Sequence, residues 1–183
     1  MGWSHTKMSD ELMVGDMFER WNAGTAEIFK ELASLKSLVD PFRLGETAGV
    51  SILAAGAARV GFTPVAEVVV KKYPAGTSED KAFWNGRSDL ILAAENAVHM
   101  FEFKLCWKDA SDQQIEECLV LASADAACLA PSLCSSRYGG IISSFTSKTV
   151  RNRYREFANV DNRMIVSNDD ACEGFAFLFR KVA

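Results

Sequence analysis

Histidine is nearly absent: of 183 residues, only His5 and His99 carry an imidazole. A metal centre built on several histidines, or a Ser-His-Asp hydrolase, therefore has little to work with, because each needs imidazole as ligand or base. The five cysteines (Cys106, Cys118, Cys128, Cys134 and Cys172) are odd in number and show no C-x-x-C spacing. That argues against a zinc knuckle or a dithiol redox site and favours reduced thiols inside a cell. No excess of basic charge is present either. The net charge is -4 and the pI about 5.3, which argues against a large diffuse basic field, although a local basic groove is compatible with it. No run approaches the roughly 18 to 20 apolar residues of a spanning helix, and no secretory h-region is seen. The opening "MGWSHT" matches only a loose acylation pattern, with Trp3 after the glycine. The expectation is an intracellular, cytoplasmic chain with no membrane partner. No G-x-x-x-x-G-K-[ST] loop, internal repeat or low-complexity linker occurs.

What is present is the material of one ordinary domain. Hydrophobic residues make up 49% and charged residues 24%, close to the average for globular chains. Phe18, Trp21, Ile28, Leu32 and Leu35 recur at helical spacing over Met13 to Leu38, broken at Thr25, with Pro41 as a boundary. A second helix is predicted over Glu46 to Val60, with a stripe of Val50, Leu53, Ala57 and Val60. Its many small residues predict close approach to a sheet. "VAEVVVKKY", Val65 to Tyr73, reads as a strand. After a turn-rich loop come two more strands, Ser88 to Ala93 and Ala97 to Leu105, joined by a turn at Glu95 and Asn96. Ser111 and Gln114 resemble a capping box opening a helix to Ala124. "GGIISSF", the basic "SKTVRNRYREF", "RMIVS" and "GFAFLFRKV" follow as strand, short helix, strand and strand. The fold class is thus α/β, with one mixed central sheet, and the whole of 1–183 is a single domain.

Charges in the stretch "GRSDLILAAENAVHMFEFKL" need an explanation, since an unpaired charge in a buried strand is costly. Residues two apart on a strand share a side, so Glu102 and Lys104 project together beside Met100. If the two strands form a hairpin, Asp89 comes close to Glu102. Two carboxylates so placed repel, and a divalent cation removes the repulsion by coordinating both. Oxygen-only ligation suits Mg²⁺ or Mn²⁺. Such an ion activates water toward a phosphoryl group, with a lysine stabilising developing charge.

"SD" at Ser88-Asp89 and "EFK" at Glu102 to Lys104 resemble the signature of the PD-(D/E)xK nuclease superfamily. The order helix, three strands, helix, strand over about 45–148 resembles its αβββαβ, restriction-endonuclease-like core. The predicted 10–40 helix is then an N-terminal extension, and the last two strands are C-terminal additions. The resemblance implies a metal-dependent endonuclease, acting on nucleic acid, DNA rather than RNA. It implies Asp89, Glu102 and the backbone carbonyl of Phe103 as metal ligands and Lys104 as the group that positions or activates water. Glu46 fits the carboxylate that many members add from the first helix, and Gln114 the glutamine of the later helix. A tyrosine often found further along that helix is missing.

Each residue also has a plainer reading. Glu102 and Lys104 can be an exposed cross-strand pair, although Val98 and Met100 make that face apolar. Glu46 can simply complement a helix dipole, with Glu67 as rival third carboxylate. Gln114 can be an ordinary polar residue of a helix start. Arg87, Lys148 and Arg151 are candidate substrate-phosphate contacts or solvated charges, as are Lys71 and Lys72. The competing function is a catalytically inactive nuclease-like fold that binds nucleic acid or protein. A homodimer, or a partner docked through the N-terminal helix, is compatible with either.

Overall fold

The computed structural model describes residues 10–34, 45–77, 82–94, 96–168 and 173–182. The "MGWSHT" start with His5, the expected helix end at Leu35 to Leu38, Pro41, Glu95 of the expected turn and Cys172 lie outside the described residues.

The chain order is α1 (Asp10–Ser34), α2 (Glu46–Arg59), β1 (Thr63–Lys72), β2 (Trp84–Ala94), β3 (Ala97–Leu105), α3 (Asp112–Ala127), β4 (Ser136–Phe145), α4 (Lys148–Glu156), β5 (Asn162–Asn168) and β6 (Glu173–Val182). The strands form one six-stranded sheet ordered β1-β2-β3-β4-β6-β5. β3 and β4 are parallel, and the other neighbours are antiparallel. A parallel pair needs a crossover, and α3 supplies it. This is a mixed α/β fold, with the predicted element types in the predicted order.

Helices α1 and α2 share the core on one face. Phe18, Trp21, Leu53, Phe101, Phe103, Tyr138 and Phe179 are buried in one cluster there. Burying each such side chain stabilises by roughly 1.5–3 kcal/mol. The Trp21 indole N–H also donates to Leu53 O at 2.7 Å. The N-terminal helix therefore has its inner face committed to the main core. The break in its stripe at Thr25 marks a helix crossing: Thr25 is fully buried, and a Cβ at Gly56 of α2 would meet Thr25 Cα at 2.6 Å and its N at 2.7 Å. The small residues of α2 thus serve two neighbours. Gly49 faces Ile142 of the sheet, whereas Gly56 faces α1.

Helices α3 and α4 cover the opposite face. Ile115, Leu119, Ile141, Tyr154 and Leu178 form the second core cluster. The capping box expected at the start of α3 is present, with Gln114 N donating to Ser111 Oγ and Ser111 N to Gln114 Oε1. A third cluster of Val70, Met100, Ala126 and Leu129 lies under the far end of α3. Strand β2 begins at Trp84, four residues before the predicted Ser88, because Trp84 to Arg87 pair with Val69 to Lys72 of β1 alone. That two-stranded ribbon runs on past β3, and Tyr73 N donates to Cys128 O at 2.7 Å at its end.

Candidate functional site

The site lies where β2 and β3 part. Their ladder runs from Ala94↔Ala97 to Leu90↔Phe101 and stops. The next residues on the two strands are Asp89 and Glu102. In the β1–β2 ladder, pairing skips one position between Ala66↔Leu90 and Val68↔Ser88. The residues facing one another across that gap are Glu67 and Asp89. Three neighbouring strands thus carry Glu67, Asp89 and Glu102 in one transverse row. Glu67 has φ 56°, the left-handed region uncommon for a residue with a side chain.

Side chains of β2 replace the lost ladder contacts. Asp89 Oδ2 accepts from Phe103 N at 2.6 Å. Ser88, fully buried, places its Oγ 3.3 Å from both Leu90 O and Phe101 O. A short hydroxyl and a short carboxylate at these two positions satisfy backbone groups that would otherwise be orphaned. Glu46, in the first turn of α2, accepts from Leu105 N at 2.9 Å through Oε2. The end of β3 is therefore held by a carboxylate from each side.

Burial sets the electrostatics. Glu102 is only 3% exposed. Its carboxyl is pushed up to about 7, first by burial and then by the charge of Asp89, with the Lys72 ammonium offsetting part of the rise. Lys72 Nζ stands 3.0 Å from Glu102 Oε1. This ion pair is the contact that compensates the buried Oε1, which has no other hydrogen-bond partner. Asp89 is also raised, by burial, although the Phe103 N–H opposes this; Glu46 and Glu67 raise it further and Lys104 lowers it. For Lys104, burial works against the charged form, but Asp125, Glu46 and Asp89 outweigh it and the net shift is upward. Its Nζ lies 2.5 Å from Asp125 Oδ2.

Of the residues singled out from sequence, Asp89, Glu102, Lys104, Glu46 and Glu67 come within electrostatic reach of one another. Phe103 contributes its backbone, while its ring lies in the main core. Arg87 pairs with Glu67 at 3.2 Å on the exposed ribbon. Gln114 is held in the capping box, and it precedes Asp125 by eleven residues, about 16 Å of helix. Arg151 is buried and its Nη1 donates to Ser167 Oγ at 3.4 Å. Lys148 is exposed on α4, which packs against β5 and β6. An open groove of about 790 Å³ between α3 and α4, lined in part by Asp112, Glu116, Arg153 and Phe157, includes none of the row. His99 is buried against Tyr138 in the core opposite Glu102.

No family model, curated protein or solved structure matches this chain. The site's own chemistry therefore carries the functional reading.

Two residues gain importance that sequence reasoning gave them only weakly or not at all. Asp125 continues the inner stripe Ile115, Cys118, Leu119, Ala122 by one more turn, and that spacing is a usable signal. Lys72 follows Val68 and Val70 in a period-two series, and both valines pack in the third cluster. Among the described residues, no three His, Cys, Asp or Glu side chains converge as a ready metal-binding group. The reason is visible: Asp89, Glu46 and Glu102 each face a partner of their own. The donor set nevertheless suits a hard cation. Carboxylates arrive from three elements, and the buried oxygen of one of them is met by a cation, the Lys72 ammonium, alone. Among the described residues, no helix is long and apolar enough to cross a membrane.

Proposed function

We propose that this chain is a metal-dependent nuclease of the PD-(D/E)xK type, hydrolysing phosphodiester bonds, with DNA favoured over RNA by resemblance. One observation carries the reading: Asp89 and Glu102 face each other at the point where the β2–β3 ladder ends, with Lys104 on the same strand as Glu102. The order α2-β1-β2-β3-α3-β4 supports the αβββαβ core. Asp89, Glu102 and Glu46, with the Phe103 carbonyl, would hold Mg²⁺ or Mn²⁺, which supplies Lewis-acid stabilisation of a phosphoryl oxygen and a more acidic bound water. Lys104 presents a charged ammonium to the attacking water and to the charge that develops on phosphate. Asp125 fixes that ammonium at 2.5 Å. Gln114 acts at a distance, by capping the helix that carries Asp125. Arg87, exposed two residues before Asp89 and paired with Glu67, would contact phosphate, with Lys148 as a more remote candidate.

The second reading is a nuclease-like fold that binds without cutting. It is favoured by the Lys72–Glu102 and Lys104–Asp125 pairs, which neutralise the site from within. A cleavage panel separates the two, using single- and double-stranded DNA and RNA with Mg²⁺, Mn²⁺ or EDTA. The nuclease reading expects metal-dependent cleavage that falls about 100-fold or more in Asp89→Ala, Glu102→Ala and Lys104→Ala. Full metal-dependent cleavage by Glu102→Ala sinks the site assignment.

A further inference from the structure

Lys72 has no part in the chemistry above, yet the fold delivers its ammonium to Glu102 by a built route. The Lys72 backbone is bridged to Leu129, and Tyr73 N is bonded to Cys128 O, so the stem starts from a fixed point at the end of α3. The stem then crosses Gly86. A Cβ there would meet Lys72 Cδ at 2.7 Å, Cε at 3.0 Å and Cγ at 3.1 Å, so any larger residue would push the stem off this path. The side chain is 13% exposed and ends 3.0 Å from Glu102 Oε1. Apart from this ammonium, that buried oxygen has no hydrogen-bond partner.

A divalent ion ligated by a carboxylate sits about 2.1 Å from its oxygen, within the space the ammonium now fills. Two cations at one oxygen repel, and the low local dielectric strengthens the repulsion. We propose that Lys72 is a resident counter-cation of Glu102, which neutralises the carboxylate in the metal-free chain and is displaced when a divalent ion binds. The inference rests on the metal-site reading above, and it makes Lys72 a positioning residue that sets the affinity of the site for metal.

The test is calorimetric titration of Mn²⁺ into EDTA-stripped protein at pH 8, with thermal unfolding as a check on the fold. Lys72→Met keeps the stem and removes the charge, and is expected to bind Mn²⁺ at least about tenfold more tightly than wild type. Lys72→Arg keeps a cation and is expected to stay near wild type. Gly86→Ala leaves Lys72 in place but displaces its stem, and is expected to tighten binding in the same direction, by less. That variant keeps the proposal testable if Lys72→Met does not fold. Equal or weaker Mn²⁺ binding by folded Lys72→Met or Gly86→Ala overturns the competition while leaving the metal site intact. Absence of Mn²⁺ binding in wild type and variants alike overturns the metal-site reading and this inference with it.

Discussion

Replacing Glu102 by Gln removes the most perturbed acid of the site while nearly preserving its shape. The Glu102 carboxyl moves from 4.5 to about 7 on folding. The folded chain therefore holds a proton on Glu102 between roughly pH 4.5 and 7 that the unfolded chain has released. A raised carboxyl favours the folded state fully below the unfolded value, and this contribution is lost as pH rises through the folded value. About 2.5 pH units at 1.36 kcal/mol each gives a loss of about 3 kcal/mol between pH 4.5 and 8. Glu102→Gln cannot ionise and lacks this slope. Asp89, also raised by burial, contributes in the same direction in both proteins, so the quantity to read is wild type minus variant. Breaking the Lys72 contact adds an offset common to the series. Urea unfolding in EDTA, followed by tryptophan fluorescence from pH 4.5 to 8, measures it. The variant is expected to gain about 3 kcal/mol on wild type across that range. Parallel profiles would refute the claim that Glu102 folds into its place as a strained acid. Such a cost, borne by a residue with no packing need for a charge, is what a functional site shows.

Two predictions concern the frame that holds the site. Gly56→Ala raises intrinsic helix propensity by about 1 kcal/mol, yet it sets a methyl against the Thr25 backbone of α1. The clash is expected to win, for a net loss of about 1–3 kcal/mol, and a raised melting temperature would contradict it. Trp21→Phe removes the indole N–H that donates to Leu53 O at 2.7 Å, a second bond to a carbonyl already held within α2, and leaves a gap among the rings of the main core. A loss of about 1–3 kcal/mol in urea unfolding is expected, mainly from the lost ring packing, and a loss under about 0.5 kcal/mol would mean the core closes over the gap.

Much of this site is legible in the sequence because it depends on local rules. Period two places Glu102 beside Lys104, and a hairpin turn after Ala94 brings Asp89 back toward them. What local rules do not carry is where the ladder stops. The stop coincides with Glu67, whose left-handed backbone interrupts the β1–β2 pairing opposite Asp89, and the ribbon beyond it is bonded to the end of α3. Lys72 reads as a surface cation until Gly86 and Leu129 place its stem. Arg151 reads as a solvated charge, but it lies on the stripe of Val150 and Tyr154 that faces β5 and β6, and so it is buried. Gln114 satisfies two readings of one helix start, and only the folded capping box shows which one its side chain serves.

The parting of β2 from β3 also has a mechanical meaning. Asp89 rides on a ribbon paired only to β1, whereas Glu102 is seated in the slab formed with β4. No ladder rung beyond Leu90–Phe101 ties the two bodies; side chains do so instead, Asp89 at Phe103 N, Ser88 at Phe101 O and Lys72 at Glu102. The spacing of the two carboxylates is therefore set by side-chain contacts and not by a strand ladder, with the ribbon anchored at its far end where Tyr73 N meets Cys128 O.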